Sequence, residues 1–409
     1  MVNASIATDV PALARLQQRS LIVGVLGVAA GLVGLVLSAN ADQFFRSWLI
    51  GFLFILSFAM GSLALLMLQH LSGGQWGLVS RRIFEAASRT LPLVALAFIP
   101  ILFGMRPLFL WARPEAVETD HILQMKAPYL NVPFFTVRAV IYFAFWMLLV
   151  FLLNKWSAAQ DRGETAVTPA DSVRFRRVSA PGLLFLVLTV TFASVDWMMS
   201  VDPHWFSTIF GLLTVASQGL SALALTIAVL AVLAPTGALA PVLGPRHFHD
   251  LGKLLLAFVM LWAYLSFSQF LIIWSGNLAE EIPWYLQRIR GSWGAIAILL
   301  VVGHFALPFA LLLSRDLKRH GKLLSRVAMI VIAMRLVDLI WLISPSFGAH
   351  GPAGEGHTGF FIPIHWMDIA IPLGLAGLWL FLFARQLRSR PLLPLNDPYF
   401  KEAFAHEAH

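Results

Sequence analysis

The chain has 409 residues, 59% of them hydrophobic and only 12% charged, with a mean hydropathy of +0.78. Soluble domains average roughly 25% charged residues, so a water-soluble fold of this length could not hide so much apolar surface. The composition specifies a polytopic membrane protein. The formal charge of +8 does not mark a nucleic-acid binder, because the basic residues fall in short loops between apolar segments. The absence of cysteine excludes disulfides, haem thioether links and cysteine-ligated iron–sulfur clusters on this chain.

Crossing the hydrocarbon layer takes about 20 largely apolar residues. Ten segments qualify: 20–39, 47–69, 87–103, 133–154, 181–199, 207–233, 251–274, 292–314, 323–343 and 363–384. The first is read as a spanning helix, because its apolar run (21–37) exceeds the roughly 7–15 residues of a cleaved signal. The third is interrupted by Pro92 and Pro100 and is expected to kink. The expected fold is all-α, one integral membrane domain over residues 1–409.

Orientation follows from lysine and arginine. With ten spans and the N-terminus inside, 21 of the 29 Lys and Arg fall in inside segments and 6 in outside loops. The remaining two, Arg138 and Arg335, lie within spans. The asymmetry predicts that both termini are cytoplasmic. The stretch Ser194–Leu213 then holds the outer end of span 5 and the turn into span 6. Asp196 sits in the last helical turn, and Asp202, Pro203 and His204 form the turn itself. Trp197, Trp205 and Phe206 suit an interfacial aromatic belt.

An internal echo appears four spans later. Val195-Asp196 precedes Pro203 by the spacing at which Val337-Asp338 precedes Pro345. It predicts a duplicated four-helix unit, bundle one at about residues 47–199 and bundle two at about 207–343. Helices 20–39 and 363–384 would flank the two.

Ionisable groups inside hydrocarbon are costly, so each is a functional candidate. His70, Glu85, His249, Asp250 and Lys253 lie near the inner side; His304 and Arg335 lie near mid-membrane. Arg138, Asp196, Asp338, His365 and Asp368 lie in the outer half. His304, Asp338, Arg335, Asp368, His365 and Lys253 are the candidates for a proton path. Arg335 and Asp338, spaced i, i+3, share a helix face and could equally neutralise each other. Arg138 and Asp196, at similar depth on consecutive antiparallel spans, suit a structural ion pair. No histidine pair matches in depth as bis-histidine haem would require, so no haem, flavin, cluster or metal is expected on this chain. The run His247–Asp250 reads as a solvated turn rather than a metal site. His350 and His357 read as exposed in a glycine-rich loop.

Two blocks carry a family resemblance: "DWMMSVDPHWFSTIFGLL" from Asp196, and "HFHDLGKLLLAFVMLWAYLSFSQFLIIWSGNLAEEIPWYLQR" from His247. They resemble the smaller NrfD-like membrane subunit of alternative complex III, a bacterial quinol:cytochrome c oxidoreductase. The resemblance implies two four-helix bundles with peripheral helices, in the bacterial cytoplasmic membrane. It implies partners: a larger NrfD-like sister, an iron–sulfur protein and multihaem cytochrome c subunits. Haem c and iron–sulfur clusters would then sit on those partners, with quinol bound by the complex, generally by the sister. For this subunit it implies either proton conduction or stabilisation of the assembly, with no role assigned to individual residues. From the residues alone, a purely structural anchor and a stand-alone proton-coupled transporter stay open. Against the transporter, no pair of Gly/Pro-broken helices occupies corresponding positions at mid-membrane.

Overall fold

The computed structural model describes residues 11–38, 41–163, 169–236, 239–240, 242–348, 364–394 and 396–397. His350 and His357, read from the sequence as loop residues, lie outside them. Ten helices are long and apolar enough to cross a membrane: α1 (Pro11–Leu37), α2 (Ala41–Ser72), α3 (Gln75–Phe103), α4 (Val132–Asp161), α5 (Val173–Val201), α6 (Phe210–Leu233), α7 (Pro245–Gly276), α8 (Gly291–Leu313), α9 (Gly321–Phe347) and α10 (Met367–Arg388). No strand occurs among the described residues. The chain is an all-α, multi-pass membrane protein. Exposed leucine, valine and phenylalanine side chains cover the outward faces of α1, α4, α7 and α8, as lipid-facing helices require.

Neighbour packing repeats. In the first half α2 packs on α3 and α5, α3 on α4, and α4 on α5. In the second half α6 packs on α7 and α9, α7 on α8, and α8 on α9. The two rings meet where α2 crosses α6, with α5 against α6 and α9 against α2 on either side. This crossing needs a glycine: a Cβ built at Gly61 would overlap the Gln218 carbonyl on α6. Without a hydrophobic drive between helices in lipid, close approach through small residues supplies the dispersion contacts. The same logic joins α1 to α10, where Gly24 and Gly27 abut Gly377 and Gly374 backbone to backbone. The α1–α10 pair then lies against α2.

Helices α3 and α8 break from regularity at prolines. The third span starts earlier than its apolar run, at Gln75, and divides at Arg89–Thr90. Pro92 opens the second piece, where a missing N–H costs nothing. The break therefore precedes Pro92, and Pro100 is carried inside the helix. In α8, residues Val301–Ala306 form a π-helical turn, with the Leu307 N–H reaching the Val302 carbonyl five residues back. Pro308 follows, and its lack of an N–H frees the carbonyl of His304, four residues before it. Single π turns within α-helices occur frequently at functional sites. This one carries His304.

Trp197 and Trp205 are not belt residues. Trp197 is buried in the core of bundle one against Phe52, Phe98, Phe143 and Trp146. Trp205 is buried and stacks on Trp284 with ring centroids 4.2 Å apart. Only Phe206 is exposed as a belt residue would be.

Candidate functional site

The helix starts and ends define two faces, one rich in arginine and lysine (the basic end) and the opposite end. Polar groups are concentrated at four places along the interior.

At the opposite end of bundle one, Arg138 of α4 forks onto Asp196 of α5. Its Nε donates to Oδ2 at 2.9 Å and its Nη2 to Oδ1 at 2.8 Å. Tyr142 donates to the same carboxylate at 3.0 Å, and Arg138 Nη1 donates to the Tyr129 carbonyl at 2.9 Å. The guanidinium carbon lies 3.9 Å from the Tyr129 ring centre and 4.4 Å from the Phe134 ring centre, the two rings being set edge to face. Burial, together with the Asp196 charge, pushes the Tyr129 phenol up to about 12. The result is a bidentate arginine on a carboxylate that is fully buried. The following turn is fastened to the loop helices before α4. His204 Nε2 lies 2.6 Å from Asp120 Oδ2, and Lys126 donates to the Pro203 carbonyl. Burial raises the Asp120 carboxyl, but the His204 bond and the Leu123 and Ile122 amides outweigh it and hold the group below its usual range. Asp120 thereby also caps the helix His121–Lys126.

Near the start of α2 and α10, Asp368 is saturated. Its Oδ1 accepts from Gln43 at 2.9 Å and Ser47 at 2.6 Å; its Oδ2 accepts from Arg46 at 2.9 Å and the His365 amide at 3.1 Å. Four donors occupy both oxygens of this carboxylate. Asp368 is a clasp between α2 and α10 rather than an open relay position. His365 contributes its backbone to that clasp, while its ring Nδ1 accepts from the Met367 amide at 3.3 Å. These two residues leave the candidate path. Arg46, counted by sequence as an outside-loop charge, is the clasp's cation.

At the basic end, Glu85 of α3 accepts from Arg81 at 3.0 Å, Arg82 at 2.7 Å and Ser157 at 2.7 Å. Arg82 also pairs with Asp161, and Arg81 with Asp397 at 2.7 Å. Residues beyond α10 fold back over this cluster: Asn396 donates to the Gln160 carbonyl at 3.0 Å, and Arg390 sits 3.7 Å from Glu85. The i, i+3 and i, i+4 spacing of Arg82 and Arg81 to Glu85 made half of this cluster readable. Asp161 and Asp397 had no sequence signal. Lys253 is the clearest departure: its side chain is 58% exposed and pairs only with Asp250, at 3.4 Å. At the start of α7 it faces out of the bundle, so it has no place on an interior path.

The fourth place lies near the middle of bundle two. Arg335 Nη1 donates to Asp338 Oδ2 within α9, and the Trp262 indole of α7 donates to Asp338 as well. His304 of α8 meets the Trp262 ring edge-on with centroids 4.3 Å apart. Its side chain is fully buried, and neither ring nitrogen has a hydrogen-bond partner among the described residues. Three helices thus bring together a buried imidazole, an indole, a carboxylate and a guanidinium. Asp338, with one arginine contact and one indole, is far less tied than Asp196 or Asp368. No cluster of metal-ligating side chains occurs among the described residues.

No protein-family model matches the chain, and no curated protein matches it.

Proposed function

We propose that the chain is the smaller NrfD-like membrane subunit of a quinol-oxidising respiratory complex, and that it conducts protons through bundle two. One observation carries the proton part: His304 is fully buried on a π turn, unbonded through its ring nitrogens, beside the Trp262–Asp338–Arg335 group. An ionisable ring buried in a membrane interior is a functional candidate by its cost. The repeated ring packing and the two flanking helices agree with the architecture that the resemblance implies. With no cysteine in the chain, cluster-borne electrons would travel on partner subunits: an iron–sulfur protein, multihaem cytochromes c and the larger sister. Purification of the tagged chain from its native membrane is expected to bring haem absorbance and quinol-oxidising activity with it. A chain that purifies alone, with neither, overturns the assignment.

The basic end is proposed to face the cytoplasm, both termini with it, in a bacterial inner membrane. The 21-to-6 distribution of lysine and arginine supports this. On the cysteine-free chain, Lys322→Cys at the basic end and Glu280→Cys at the opposite end both occupy exposed positions. An impermeant thiol reagent on intact cells is expected to label position 280 and spare 322; the reverse pattern contradicts the orientation.

A purely structural anchor is the second reading. The saturated Asp368 clasp and the forked Arg138–Asp196 pair favour it, since both join helices rather than line a route. A stand-alone transporter has less support: the irregular spans α3 and α8 are not counterparts in the four-span repeat, as paired broken helices of a transporter would be.

A further inference from the structure

Where the two rings meet, a narrow cleft is lined by Ser57 of α2, Ser194 and Trp197 of α5, Thr214 and Gln218 of α6 and Arg335 of α9 among apolar neighbours. Its free space is on the order of a single water molecule. Apart from the Gln218 amide, which can both donate and accept, the hydrogen-bond inventory of this lining is unbalanced in a particular way. Arg335 Nε and Trp197 Nε1 are buried donors with no acceptor among the described residues. The three hydroxyls have the opposite defect. Ser57 donates to the Leu53 carbonyl at 2.8 Å, Ser194 to Thr191 at 2.7 Å and Thr214 to Phe210 at 2.9 Å. Each has spent its single proton on its own helix and offers the cleft lone pairs only.

We propose that this cleft is a binding site for one ordered water. It accepts from Arg335 Nε and Trp197 Nε1 and donates to two of the hydroxyl oxygens, so that the polar interiors of the two bundles are joined between α5 and α9. Water is the ligand that fits both halves of the inventory. A halide could accept from the two N–H groups but has no proton for the hydroxyls, and the Arg335 charge is already met by Asp338. An apolar atom would leave both donors unpaired. Buried waters with two to four such partners are ordinary parts of protein structure. The inference stands apart from the proposed function: the donors and acceptors call for it whether or not protons cross the chain.

Electron cryomicroscopy of the wild-type protein, in a map that resolves ordered water elsewhere, reads the site directly. One peak is expected within about 3 Å of both Arg335 Nε and Trp197 Nε1. No peak, or a protein acceptor on either nitrogen, overturns the proposal. So does a peak that strengthens when chloride is replaced by iodide, which would make the ligand an anion. Trp197→Phe removes one of the two donors while keeping an aromatic ring, and is expected to lose the peak or shift it towards Arg335. An unmoved peak in that variant contradicts the assigned coordination.

Discussion

Arg138→Ala is expected to prevent stable folding of bundle one, because it strands the Asp196 carboxylate in a site with no exposure. Breaking one partner of a buried pair costs about 3–5 kcal/mol, mostly from the charge left unpaired. Two features place Arg138 at the upper part of that range. It also bonds the Tyr129 carbonyl and packs against two rings, so truncation loses packing and hydrogen bonds as well as charge. Thermal unfolding of the detergent-solubilised protein measures the effect. The double variant Arg138→Leu with Asp196→Leu is expected to recover most of the loss, since it removes both charges and leaves apolar volume. If Arg138→Ala unfolds at the wild-type temperature, the pair is not holding α4 to α5.

Gly61→Leu is expected to have an effect of similar size through a different cause. The side chain would be driven into the Gln218 carbonyl, where backbone meets backbone and no rotamer can give way. Overpacking in a core costs typically about 1–3 kcal/mol when side chains can move; here α2 and α6 must separate, and with them the two rings. Monodispersity and yield after solubilisation report the outcome. Gly73→Leu is the control. Gly73 has no neighbour within 4 Å of a built Cβ, so crowding is absent, although its φ of 68° adds a local backbone strain. Near-wild-type behaviour of Gly61→Leu would show that the helix crossing is looser than its geometry.

Hydropathy made the ten spans legible, because a run of about 20 apolar residues has few other fates. Depth and antiparallel succession placed Arg138 beside Asp196, and helical spacing placed Arg335 beside Asp338. The Arg46–Asp368 clasp was illegible for a plain reason: its residues are 322 positions apart, and only the docking of α10 on α2 brings them together. Lys253 misled because depth along a helix is readable while direction around it is not. Trp197 misled similarly. A tryptophan at a span end suits both a lipid interface and a core, and packing against Phe52, Phe98 and Trp146 decided between them. The π turn at His304 had a signal in Pro308, four residues on, but proline alone does not say whether a helix kinks, breaks or widens.

The central claim is that protons pass by way of His304 and Asp338 while Asp196 and Asp368 hold helices together. The most direct measurement is the number of protons released per quinol oxidised by the native complex in sealed liposomes, carrying His304→Ala or Asp338→Asn. Each variant removes a titratable group without touching the Asp196 and Asp368 sites. Intact assembly with a proton yield reduced severalfold is expected in both. Intact assembly with wild-type turnover and wild-type proton yield in both would contradict it and leave the structural anchor as the better description.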